Sequence, residues 1–360
     1  MRHRGLREID AYLSPATYFP IVLSYSQYHY YPDRITGYEQ TSAGRLARNI
    51  HEALLCHAPV KYADRPGNVT CDLLFTIDNW ERCANVRAKR LIVFPAVAHW
   101  RYTTRILSHY APLFGVKPLE RMHNEHAVLA FERWIARTDL LVLIGNEYVA
   151  DTYLSCKFPS KKLHVINCGV DTHYFVPAVA NQATPPVRFI FPATQLSLSK
   201  GTPFVFRAWR AIAEAFPDAE LWVIGQTKSD IGIEEYTSLP RVKFFGWIPP
   251  GVSTYRKLLQ SAHYVVFPSL SEGQAGTLLE AMSCGCVPIA TRASGIDADR
   301  YGGLVVPLAD VDGLINAMFQ AATDFDQWAQ HSVITRQMVE RNHTWEQFRA
   351  QIYSLSFGDQ

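Results

Sequence analysis

No run of about 18 apolar residues occurs anywhere in this 360-residue chain, which argues against a membrane-spanning helix. The seven cysteines are scattered and lack the paired CxxC spacing of structural zinc, so reduced, mostly structural thiols are expected. Charge of one sign is also lacking. The 35 basic and 33 acidic residues leave a formal charge of +2, so no polycationic signal points to nucleic acid as a partner. There is no solenoid-type repeat, no low-complexity segment and no Walker phosphate loop, whose G-x-x-x-x-G-K-[ST] spacing is missing. The basic residues 1–7 are followed by Glu8 and Asp10 rather than by an apolar stretch, so a secretory signal is not expected and a cytoplasmic setting is.

What the chain does have is globular composition, 48% hydrophobic and 19% charged, at a length above that of a single core. Two domains are expected, residues 1–172 and 173–343, divided near a stretch containing Pro177, Pro185 and Pro186. In the first, short β-branched runs at 19–26, 60–63, 71–77, 90–97, 139–144 and 163–166 read as strands. The second repeats the rhythm at 187–192, 220–224, 242–244, 264–268, 287–290 and 303–306. Helical patterns lie between them, at 42–55, 118–137, 202–215, 252–261 and 276–284, and the chain beyond Asp312 reads as helical. This is the α/β alternation of parallel sheets covered on both faces.

The segment from Phe267 to Ala290 reads as strand, small-residue turn, helix and strand. Ligands of open α/β sheets bind beyond the strand C-termini, where this turn lies. Gly273, Ala275 and Gly276 let a ligand approach the backbone, and the helix start offers unpaired N–H groups to an anion. Glu280 sits among Leu278, Leu279, Ala281 and Met282, so its carboxylate is expected to be buried. It then needs a partner, either a protein cation or paired hydroxyls such as those of a ribose. The plainer alternative is that Glu280 borders solvent and Glu272 merely favours a helix N-terminus. A second strand and polar turn end in Lys200-Gly201, where a point charge could meet a diphosphate or simply face solvent.

Together these segments resemble the retaining glycosyltransferases of family four, which have the GT-B fold of two Rossmann-like domains facing across a cleft. Three ordered blocks carry the likeness: residues 165–171 with Phe175 and Pro177, then Ser199-Lys-Gly201, then Ser271-Glu-Gly through Glu280-Ala-Met with Gly285 and Pro288. The resemblance implies a nucleotide-sugar donor and a glycan or lipid-linked acceptor, with no cofactor and no metal. It implies that Glu272 contacts the donor sugar, Glu280 holds the ribose and Lys200, beside Gly201, neutralises the diphosphate. The backbone of Gln274, Ala275, Gly276 and Thr277 would cradle sugar and phosphate, and a last helix at about 344–360 would return to the first domain. Three positions depart from the pattern: Gln195 replaces the usual arginine, Ala275 a glycine, and Cys168 an asparagine. Arg292 or Arg256 is a candidate replacement cation.

The first half is less legible. His99 follows an apolar strand, and the family resemblance implies a catalytic cleft histidine there, although a lone loop histidine is commonly structural. Tyr25, Tyr28, Tyr30 and Tyr31 could stack on a sugar. The pairs Arg101 with Arg105 and Arg133 with Arg137 could meet an anionic membrane surface in peripheral contact, or be a solvated face. Asp297-Ala-Asp299 and Asp310-Val-Asp312 spell the D-x-D triplet of metal-holding transferases without the strand such a site needs, and Asp310 reads better as a helix cap. A sugar-nucleotide epimerase of the same fold and a non-catalytic nucleotide-sugar binder are the alternative readings.

Overall fold

A computed structural model of the chain describes residues 17–25, 41–78, 80–116, 125–178, 185–226 and 236–358. Its described residues form two six-stranded sheets in which every pairing is parallel. The first holds β1 (Thr17–Ser24), β2 (Val60–Ala63), β3 (Val69–Ile77), β4 (Val86–Phe94), β5 (Leu140–Ile144) and β6 (Leu163–Ile166), in the order β2-β1-β3-β4-β5-β6. The second holds β7 (Arg188–Gln195), β8 (Glu220–Gln226), β9 (Val242–Phe244), β10 (Tyr264–Phe267), β11 (Val287–Thr291) and β12 (Leu304–Val306), in the order β12-β11-β10-β7-β8-β9. Strands β5, β10 and β11 are buried along their whole length, which is why they read as unbroken apolar runs rather than as alternation. Strand β4 ends at Phe94, earlier than the expected 97, because Pro95 follows and the Val97 N–H turns back to the Pro95 carbonyl.

Helices cover the sheets. In the first half these are α1 (Ser42–Leu55), α2 (Trp100–Tyr110), α3 (Glu125–Ile135) and α4 (Glu147–Leu154). The second half has α5 (Thr202–Ala215), α6 (Ser253–Ser261), α7 (Gly276–Ser283), α8 (Val311–Thr323) and α9 (Trp328–Asn342). Helix α1 starts where the Thr41 hydroxyl accepts from the Gly44 N–H at 3.2 Å, and it buries Leu46, Ile50 and Leu54 on one stripe. Of the helix expected over 118–137, the span 125–135 is helical and 118–124 lies outside the described residues. Asp310 caps α8 by accepting from the Gly313 N–H at 2.9 Å, as its place before the helix suggested.

The chain crosses between the halves twice, and the crossings touch. Val170 pairs with Thr344, and the Val170 N–H donates to the His343 carbonyl at 2.8 Å. His343 is fully buried between the Cys168 carbonyl, 2.9 Å from Nδ1, and the Tyr301 hydroxyl, 2.6 Å from Nε2. Burial pulls its pKa down to about 4, so the ring is neutral. Beyond it, α10 (Trp345–Phe357) starts with a capping box between Thr344 and Gln347 and lies against α1. Arg349 donates to Asn49 at 2.6 Å, and Arg90 reaches the Leu355 and Ser356 carbonyls at 2.9 and 2.7 Å.

Candidate donor site between the two sheets

The second sheet reverses direction between β7 and β10: β8 and β9 extend one way from β7, β11 and β12 the other way from β10. In open α/β sheets that reversal opens a crevice beyond the strand C-termini. The turn after β7 delivers Lys200, and the turn after β10 delivers Glu272. Their side chains form an ion pair, both partly buried, and the Lys200 ammonium also lies 5.7 Å from the centre of the Phe267 ring. Gly201 makes this approach possible. It has φ +77°, and a Cβ there would fall 2.1 Å from the Pro268 carbonyl oxygen.

The β10–α7 turn is held from both sides of the cleft. Gln274 is buried and accepts from the Cys168 N–H at 2.5 Å while donating to the Gly295 carbonyl at 3.1 Å. The Ala275 N–H goes to the Ser294 carbonyl, and Thr277 donates to the Pro192 carbonyl at 2.8 Å. Gly273 meets the first half so closely that a Cβ would lie 2.3 Å from the Ala96 carbonyl oxygen. Ser271 is hydrogen-bonded to Thr103 of α2 at 2.6 Å. Gly276 opens α7, whose first N–H groups have no partner within the helix.

Glu280 is 2% exposed, as its apolar neighbours suggested, and its partners are protein groups. One carboxylate oxygen is ion-paired with Arg45 of α1, and the other accepts from the Tyr255 hydroxyl of α6 at 2.8 Å. Burial pushes its pKa up against the opposing pull of Arg45 and Tyr255. Neither Arg45 nor Tyr255 carries a signal in the sequence, since each comes from a different helix.

His99 does not join these residues. It is 1% exposed, with its ring edge-on to Phe131 and Tyr153 at 5.2 and 5.0 Å, and it accepts from the Arg101 N–H at the start of α2. Burial lowers its pKa to about 4. The expectation of a cleft-facing histidine is therefore corrected: the ring turns into the first core and caps a helix. The two candidate replacement cations are engaged by protein groups. Arg292 is paired with Asp297 and Asp299 at 2.5 and 2.9 Å, and Arg256 donates to the Tyr174 carbonyl and stacks on its ring. Those pairings also use both acids of the Asp297-Ala-Asp299 triplet. Gln195 is exposed at the end of β7.

Of the aromatic group, Tyr25 is buried, while Tyr28, Tyr30 and Tyr31 lie outside the described residues. Arg101 is neutralised by Glu132 and Glu125 and so does not offer a free charge. Arg137 stacks on Trp134, and Arg105 lies over Tyr102. All seven cysteines are free thiols. No helix among the described residues is long and apolar enough to cross a membrane. A cavity of about 340 Å³ lies between the halves, where Asn146 and Glu147 face Gln274, Asp297 and Tyr301.

Residues 187–324 match the protein family described as "Glycosyl transferases group 1". One component of the phosphatidylinositol N-acetylglucosaminyltransferase of Arabidopsis thaliana is 25% identical over 214 residues, covering 58% of this chain and 46% of that protein. The chain spans about half the length of the curated relatives it matches. Among solved structures, sucrose-phosphate synthase of Thermosynechococcus elongatus superposes with a TM-score of 0.66 at 16% identity, covering 93% of this chain and 98% of that one. Anabaena HepE in complex with UDP-glucose gives 0.62 at 15% identity, with 93% and 98% covered. The chain therefore has the GT-B fold, and residues 187–324 form a glycosyl transferases group 1 domain within it.

Proposed function

We propose that this chain transfers a sugar from a nucleoside-diphosphate sugar to a glycan or glycoconjugate acceptor, with retention of configuration and without a metal, in cell-surface polysaccharide or glycolipid assembly. The observation that carries the reading is the Lys200–Glu272 pair at the point where the second sheet reverses. A cation and a carboxylate that neutralise each other beside a helix N-terminus suit a ligand carrying both an anionic diphosphate and a hydroxyl-rich sugar. On binding, Lys200 turns to the diphosphate and Glu272 to the sugar hydroxyls. Glu280 serves the ribose. Lys200 and the N–H groups opening α7 then stabilise the charge that develops on the departing diphosphate. The cavity facing Gln274 offers the acceptor a way in between the halves.

The activity that names the Arabidopsis relative supports a lipid-linked acceptor, and the HepE complex supports a uridine nucleotide. For a lipid-linked acceptor the enzyme works at a membrane surface. The exposed Leu113 and Leu129 in the first half, with Arg133 on the same helix as Leu129, supply apolar and basic contacts there. Cosedimentation with anionic liposomes at low salt tests this, and absence of binding removes it.

The direct experiment measures nucleoside diphosphate released from UDP- and GDP-sugars in the presence of EDTA, with and without a lipid extract as acceptor. Release that requires acceptor and survives EDTA supports the proposal. Conversion of the donor without acceptor points to an epimerase, and binding without turnover points to a non-catalytic protein. The product anomer, read by NMR, decides retention.

A further inference from the structure

The carboxylate assigned above to the ribose is not open to one. Glu280 is closed off on both oxygens, by Arg45 and by Tyr255, and the gap bounded by Ser42, Arg45, Gly276, Glu280 and Trp345 measures about 10 Å³. That is barely the room of one water molecule. Helix α1 is pressed against α7 along this face: a Cβ on Gly276 would lie 2.6 Å from the Ser42 hydroxyl, and Arg45 stands one turn further along α1 from Ser42. Tyr255 belongs to the same half as Glu280, so it can stay in place when the halves part. Arg45 belongs to the other half and cannot.

Arg45 is well anchored for an occupying role. Its guanidinium lies 5.6 Å from the centre of the Phe175 ring, and its backbone carbonyl accepts from the Asn49 side chain at 2.8 Å. The ion pair compensates a buried negative charge, which favours the closed arrangement as long as nothing else satisfies that charge. A pair of ribose hydroxyls hydrogen-bonded to Glu280 is such a replacement, and it needs the space the guanidinium fills.

Resting on the donor-site reading above, we propose that Arg45 is a competitor built into the first half, which holds Glu280 and must release it before a nucleotide ribose can take its place. Nucleotide affinity is then lowered by the fraction of molecules in which Arg45 is seated.

The test is calorimetric titration of UDP and GDP into the full chain and into Arg45→Ala and Arg45→Lys. The expected result is about tenfold tighter binding of the recognised nucleotide by Arg45→Ala, with Arg45→Lys in between, because lysine keeps the charge but makes a weaker pair. Should Arg45→Ala fail to fold, as judged by circular dichroism, Arg45→Lys decides alone. Equal or weaker binding by the folded variants overturns the role of Arg45 and leaves the donor site standing. If neither nucleotide binds to the wild-type chain or to any variant, the donor site itself is wrong and this proposal falls with it.

Discussion

Lys200 and Glu272 are joined in an ion pair although they leave the sheet on different strands, one after β7 and one after β10. The pair gives each residue a separable role. Lys200→Ala should weaken binding of nucleoside diphosphate and lower kcat/KM by about 100-fold, because the cation that stabilises the negative charge of the leaving group is lost. Glu272→Gln should bind the nucleoside diphosphate nearly normally and lose about 100-fold in kcat. Titration and initial rates on the two variants check this. Identical effects would mean that the pair acts as one structural unit.

Gly201→Ala should destabilise the second half by roughly 3 kcal/mol, since the new side chain combines a left-handed backbone with a collision against the Pro268 carbonyl. The urea midpoint reads this out. A variant as stable as the wild type would show that the turn can relax, and that the close approach of β7 and β10 does not depend on glycine.

Gly273→Ala separates stability from closure. Its added methyl meets the Ala96 carbonyl of the opposite half, not its own sheet, so the melting temperature should hold while the halves cannot close fully. Turnover should fall by about 100-fold through lost positioning. Small-angle scattering should show a larger radius of gyration, and an unchanged radius with unchanged turnover would count against closure at this loop.

Three of the four buried histidines among the described residues oppose folding at acid pH. Burial lowers the pKa of His99, His263 and His343 to about 4. The unfolded chain, with ordinary histidines near 6.5, therefore takes up more protons than the folded one between those values. The contribution of these histidines is complete above about pH 6.5 and is lost as pH falls towards 4, by roughly 3 kcal/mol per histidine over the whole window. Urea midpoints from pH 7.5 to 4.5 should be flat at first and then fall. A His99→Ala variant should lose about 2 kcal/mol of stability yet keep kcat within about threefold, because the ring packs in the core. A large loss of kcat with unchanged stability would return His99 to the reaction.

Much of the fold is legible in the sequence because each element advertises itself locally. Strands 60–63, 163–166 and 242–244 and helices 42–55 and 202–215 end where the sequence pattern ends. Helix α4 is two turns long, too short to establish a period, so no pattern announces it. The β10–α7 turn is legible through its small residues, and the buried state of Glu280 through its neighbours. What satisfies Glu280 is not, because Arg45 and Tyr255 are brought there by the packing of three helices. His99 shows the same limit from the other side. Its place after a strand is plain in the sequence, but the direction of its ring depends on Phe131 and Tyr153, which arrive from distant segments.

The return of α10 to α1 makes the second half an insertion within the first rather than a bead following it. Two neighbouring backbone connections, meeting at Val170 and Thr344, behave like the paired leaves of a door hinge. They resist twist and sideways slip and leave swinging about the line between them as the soft motion. The same topology makes the halves unequal as fragments. Residues 188–342 are contiguous and carry their own sheet, whereas a fragment stopped at residue 170 would bare the face of α1 that α10 covers. Excision should therefore yield a folded second half far more readily than a folded first half.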